Sequence, residues 1–168
     1  YGVGLDRIDL DAAKKYNVVV TNCPSVNQVS VSEHVLGLLF AFERNIHLQY
    51  NSVQSGSWKR WVGSEIEGKT IGIIGLGAVG KELAKKSSAL GMKVLGFDLF
   101  KDEAFLLKYD EVTFVDSLDV IFQQADVISL HLPHTPKTEH LISREVIFNK
   151  LKKKPILINT ARGMLVDS

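Results

Sequence analysis

Apolar residues recur along the chain with two rhythms, and the change between them comes near residue 68. Leu5, Ile8, Ala12 and Ala13 share one side of a helical wheel, so residues Leu5 to Tyr16 read as a helix. The β-branched run Val18-Val19-Val20-Thr21 reads as a strand. Asn22-Cys23-Pro24-Ser25 breaks both patterns, because proline pushes the preceding residue out of helical geometry, and it reads as a hinge. From Val29 to Ser55 the spacing of Val31, Val35, Leu38, Leu39, Phe42, Ile46 and Leu48 predicts one long helix. Ser30 or Ser32 would cap its start and Gly56 would end it. Its middle is apolar nearly all round, so it is expected to bury more than one side, in a core or against a second copy.

Beyond Gly68 short apolar runs alternate with helical stretches. Strands are predicted at Thr70–Ile74, Lys93–Phe97, Asp126–Leu130 and Ile156–Asn159, and helices at Ala78–Leu90, Ser117–Gln124 and Ser143–Leu151. The strands are continuously apolar, the pattern of a parallel sheet with helices on both faces. The fold class is therefore α/β with a doubly wound parallel sheet.

Composition narrows the function classes. With 168 residues, 45% hydrophobic and 23% charged, the chain suits about one globular domain. Twenty basic against nineteen acidic residues leave a net charge of +1, which gives no argument for nucleic acid or an anionic membrane. The longest apolar run, Val35 to Phe42, is far short of the ~20 residues that span a bilayer. A single cysteine, Cys23, excludes an intrachain disulfide and a cysteine-based metal cluster. It is expected to be a small buried residue, and a cytoplasmic setting follows from the same bookkeeping of thiols. No metal site is expected, and the lysines at 150, 152, 153 and 154 read as a solvated face.

Gly75-Leu76-Gly77-Ala78-Val79-Gly80 matches G-x-G-x-x-G. The pattern alone is weak, but here it follows the apolar Ile71–Ile74 run and opens a helix. Gly75 would permit the tight turn, Gly77 would let backbone approach a pyrophosphate, and Gly80 would let the helix pack on the sheet. Asp98 stands at the end of the next strand, 18 residues past Gly80. A carboxylate there accepts hydrogen bonds from ribose hydroxyls and repels a 2′-phosphate, which favours NAD over NADP. Further motifs end the later strands: His131-Leu132-Pro133-His134-Thr135-Pro136-Lys137-Thr138 and Asn159-Thr160-Ala161-Arg162-Gly163. Gly2-Val3-Gly4-Leu5-Asp6 and Val31-Ser32-Glu33-His34 precede them. The loops after Asp98, Leu130 and Asn159 are expected to open onto one cleft, because open parallel sheets bind ligands beyond their carboxyl ends. Arg162 suits a 2-oxo acid: a planar guanidinium forks onto the carboxylate while staying near the carbonyl oxygen, where charge grows as hydride arrives.

Together these motifs resemble the D-isomer-specific 2-hydroxyacid dehydrogenase family, over nearly the whole chain. The resemblance implies a Rossmann-type domain holding NAD, with residues 1–24 the tail of a substrate-binding domain and hinge, and residues 25–168 the NAD-binding domain. It implies Ala78 and Val79 on the pyrophosphate, Leu132 and Pro133 beside the adenine or ribose, Thr160 and Ala161 near the nicotinamide, and Arg162 on a small 2-hydroxy or 2-oxo acid. It also implies a homodimer formed through residues 29–61, including Trp58 and Trp61. The family's glutamate–histidine pair has no counterpart among these residues, so the chain is expected to be a fragment without full activity. His131 matches the family's loop histidine, a structural role, and not the proton donor. Some members of the same family act as corepressors, which gives a second reading as an NAD-responsive interaction protein.

Overall fold

The computed structural model describes residues 3–167, so Tyr1, Gly2 and Ser168 of the expected segments lie outside the described residues. Five strands form one parallel sheet: β1 (Thr70–Ile74), β2 (Lys93–Phe97), β3 (Val112–Phe114), β4 (Val127–Leu130) and β5 (Ile156–Asn159), in the order β3-β2-β1-β4-β5. The helices are α1 (Leu10–Lys15), α2 (Gln28–Glu43), α3 (Ile46–Gln54), α4 (Ala78–Ala89), α5 (Glu103–Lys108) and α6 (Leu118–Gln124). Strand order reverses between β1 and β4, which creates a switch point at the carboxyl edge.

Continuous apolar strands have helices on both faces because each face needs its own cover. Ile71, Ile73 and Val127 pack with Val35 and Leu39 of α2 and Leu83 and Ala84 of α4. Ile74, Ile128 and Leu130 pack on the other face with Ile121 and Phe122 of α6. Lys86 of α4 ties α2 down, donating to Ser32 Oγ at 2.9 Å and to Glu33 at 3.1 Å. Burial pushes the Asp126 carboxyl up, but the Thr70 N–H and Lys153 outweigh it and hold it below the usual carboxylate range.

Several expectations are corrected. The first helix covers only Leu10–Lys15, capped by Asp9, whose carboxylate accepts from Ala12 N at 2.8 Å, and it buries no residue. Val18 to Thr21 forms no strand, since no neighbouring strand offers it a ladder among the described residues. The expected helix over Val29–Ser55 is two helices. Asn45, in the left-handed region at φ 53°, breaks it, and its side chain donates to Val62 O at 3.1 Å. The long helix starts after Asn27, and Ser32 bonds back to Val29 O instead of capping. Ser143–Leu151 holds one wide helical turn at Val146–Lys150, closed by Leu151 N to Val146 O. Helix α5 and the three-residue β3 carry too short a pattern to be read from periodicity. Cys23 is exposed, not buried: Asn22, Pro24 and Ser25 around it are exposed too, and the segment is tethered by Asn22 Nδ2 donating to Val3 O at 3.0 Å. The lysines at 150, 152, 153 and 154 stay at the surface as expected, two of them in solvated pairs, Lys150 with Asp119 at 3.1 Å and Lys153 with Asp126 at 3.0 Å. No helix among the described residues is long and apolar enough to cross a membrane.

Candidate functional site

Parallel register sends the residues after β2, β1, β4 and β5 to one edge of the sheet, side by side. At the centre the chain leaves β1 through Gly75, whose φ of +102° is left-handed, and turns into α4. Gly75 N bonds Phe97 O at 2.8 Å and His131 N bonds Ile74 O at 2.8 Å, so the turn is pinned to both neighbouring strands. A methyl group on Gly80 would stand 1.9 Å from Gly75 O, so α4 closes against the turn only because that position is bare. Gly77 differs, for no atom lies within 4 Å of a Cβ placed there. No side chain caps α4 at Gly77, and the first-turn N–H groups, with the helix dipole behind them, are left to a ligand.

Asp98 sits directly after β2. One carboxylate oxygen accepts from Leu76 N at 2.7 Å and the other from Phe100 N at 3.3 Å. The acid is thus fixed beneath the glycine turn, with two of its roughly four lone-pair positions still free. Leu132 follows β4, its side chain reaching within 3.1 Å of the Gly75 Cβ position. Pro133 O accepts from Thr138 Oγ1 at 2.7 Å, which curls the loop back on itself. His131 Nε2 lies 2.8 Å from Ser129 Oγ. Burial pushes its imidazole down from 6.5 to about 4, so it is neutral near pH 7.

At the end of β5, Asn159 shapes the turn that carries the remaining candidates. Its Oδ1 accepts from Ala161 N at 3.0 Å and its Nδ2 donates to Arg162 O at 2.8 Å. Thr160 Oγ1 is buried and has no hydrogen-bond partner among the described residues. Arg162 Nε donates to Asp6 at 2.5 Å and Nη1 to Ala161 O at 2.9 Å. A cleft of about 910 Å³ opens beside it, lined by Asp6, Arg7, His134, His140, Arg162 and Met164 among others.

The expectation of one shared cleft is thus met only in part. The loops after β4 and β5 line this cleft, while Asp98 and the glycine turn stand outside its wall. Three strand spacings, about 14 Å, separate the ends of β2 and β5. A compact ligand cannot touch both; an extended one lying along the edge can. A dinucleotide has that shape, and the open ground over Gly77, the uncapped α4 and the orphaned Thr160 hydroxyl fit it. The pairing of Arg162 with Asp6 is the feature that sequence reading missed. Asp6 belongs to the Gly2-Val3-Gly4-Leu5-Asp6 motif, but no local signal links residues 156 positions apart.

Residues 36–168 match the model of the D-isomer specific 2-hydroxyacid dehydrogenase, NAD binding domain. The chain belongs to this dehydrogenase family. It is 41% identical over 168 residues to D-3-phosphoglycerate dehydrogenase of Methanocaldococcus jannaschii, covering 99% of this chain and 32% of that protein. It is 42% identical to hydroxypyruvate reductase of Thermotoga maritima, covering 99% of this chain and 53% of that one. The structure of D-lactate dehydrogenase from Aquifex aeolicus complexed with NAD and lactic acid superposes with a TM-score of 0.85 at 36% identity, over 99% of this chain and half of that chain. The chain thus spans about a third to a half of the length of these dehydrogenases. Its α/β architecture is that of their Rossmann-like NAD-binding domain.

Proposed function

We propose that the whole protein transfers a hydride between NAD(H) and a D-2-hydroxy acid or its 2-oxo acid, and that this chain supplies the nucleotide-binding half and the arginine that orients the acid. One observation carries the reading: the Arg162 guanidinium stands beside an open cleft on the same sheet edge as the uncapped turn at Gly75–Gly80. When bound, the nicotinamide supplies the hydride at its C4. The backbone N–H groups of Gly77, Ala78 and Val79 bind the diphosphate, with Gly75 and Gly80 fixing the turn beneath them. Asp98 uses its two free lone-pair positions on the ribose hydroxyls, and its charge repels a 2′-phosphate, so NAD is preferred to NADP. Leu132 and Pro133 cover the adenosine side, and Thr160 and Ala161 border the nicotinamide. Arg162 forks onto the substrate carboxylate and stabilises charge growing on the adjacent carbonyl oxygen.

His131, neutral and engaged with Ser129, serves the turn and not proton transfer. We assign proton transfer to residues outside this chain. The unit boundary falls at residues 24 and 25, supported by the exposed run of residues 21–27 and an α1 that buries nothing. A cytoplasmic setting and a homodimer formed through residues 29–61 complete the reading.

NADH and NADPH titrations compared side by side, followed by assays of 2-oxo acid reduction by the whole protein, test it. NADH is expected to bind more tightly, and Arg162→Lys is expected to lower kcat/KM by about 100-fold or more, since a point charge cannot replace the fork. NAD-dependent capture of a partner peptide, with no oxo-acid reduction, would instead favour a corepressor-like role.

A further inference from the structure

The geometry points to Asp6 as a positioning residue for Arg162, a carboxylate that sets which edge of the guanidinium the substrate meets. The inference rests on the reading that Arg162 receives the acid.

A guanidinium has five N–H donors in a plane, and a carboxylate can fork onto either of two kinds of edge. One edge joins Nε to a terminal nitrogen, and the other joins the two terminal nitrogens. Asp6 accepts the Nε–H at 2.5 Å, and Nη1 gives one hydrogen to Ala161 O at 2.9 Å. Three donors remain, one on Nη1 and two on Nη2, so the terminal edge is the one with two donors left to fork outward. Both ends of the side chain are fixed. Asn159 clamps the backbone through Arg162 O, and Asp6 clamps the head from the opposite end of the chain. Gly4 makes the arrangement sterically possible, since a Cβ there would lie 2.0 Å from Nη2.

The pair stands at the wall of the 910 Å³ cleft with both side chains partly exposed, at 39% and 48% of full accessibility. At that exposure the ion pair contributes little to stability. Its consequence is directional. Asp6 also cancels the net charge that would otherwise attract any anion, so it trades ground-state affinity for orientation. Orientation matters most in the transition state, where the carbonyl oxygen acquires charge and an error of an ångström can cost about 100-fold.

The test uses the whole protein with saturating NADH, measuring kcat and KM for a 2-oxo acid, the Kd of oxamate (an unreactive isostere of such an acid) and the Kd of NADH. Asp6→Ala is expected to lower kcat about 10- to 100-fold, while oxamate binds as well as before or better and NADH binding does not change. Asp6→Asn keeps an acceptor for Nε without the charge, and is expected to return kcat to within roughly threefold of wild type. Gly4→Ala, whose Cβ would stand 2.0 Å from Nη2 and 3.1 Å from Asp6 Oδ2, drives the guanidinium away from that carboxylate and is expected to lower kcat in the same way. Unchanged kcat in Asp6→Ala overturns the inference. So does a rise in kcat, which would make Asp6 a competitor of the substrate. Parallel losses of kcat, NADH affinity and melting temperature overturn it too, by making the pair merely structural. Absence of oxo-acid reduction by the wild type overturns the proposed function and this inference together, whereas an active wild type with an indifferent Asp6→Ala overturns this inference alone.

Discussion

Gly80 and Gly77 belong to one turn, yet a methyl group added at each meets different surroundings. At Gly80 it would strike Gly75 O at 1.9 Å, and backbone cannot swing aside as a side chain can. Gly80→Ala is expected to cost about 3 kcal/mol of stability and to abolish NADH binding. At Gly77 it would point into open space, so Gly77→Ala should stay within about 1 kcal/mol of wild type in urea unfolding while NADH binds roughly tenfold or more weakly. Equal losses of stability in the two variants would contradict the division of roles. His131 offers a pH test. Its folded-state value, about 4, lies below the usual 6.5, so the unfolded chain takes up its proton first as pH falls. Stability present above pH 6.5 is therefore lost as pH approaches 4, by roughly 2 kcal/mol between pH 7 and pH 5. His131→Gln keeps a partner for Ser129 and should flatten that part of the profile, which urea unfolding at the two pH values would measure.

Periodicity located α4 and four of the five strands to within a residue, because each repeats an apolar pattern long enough to be counted. It failed where a single residue overrides the repeat. The apolar spacing runs on through Arg44 and Asn45, and only the left-handed backbone of Asn45, held by its bond to Val62 O, redirects α3. Redirection leaves Phe42 of α2 and Ile46, Tyr50 and Val53 of α3 exposed. That surface fits the proposed dimer contact. Sedimentation of the whole protein at micromolar concentration is expected to give a dimer, and Phe42→Glu combined with Tyr50→Glu a monomer with NADH affinity retained. A wild-type monomer would refute the contact without touching the nucleotide site.

At the scale of the molecule, this chain is one half of a two-sided device in the proposed reading. It is expected to bind NADH on its own yet to reduce 2-oxo acids far more slowly than the ~1–10³ per second of ordinary enzymes. Steady-state assays of the 168-residue chain beside the whole protein check this, and equal turnover would overturn the assignment of proton transfer to residues outside it. The sequence by itself determined the alternation of strands and helices, the glycine turn and the acid after β2, because each is written in neighbouring residues whose spacing has a direct steric or electrostatic meaning. Tertiary structure alone decided that Asp6 meets Arg162, that Cys23 faces solvent, and that the acid and the arginine stand three strands apart and outside a common cleft. Those facts depend on how distant segments pack. A contact between residues 6 and 162 leaves no periodic trace in either neighbourhood, for it exists only once the sheet has brought its carboxyl ends to one edge.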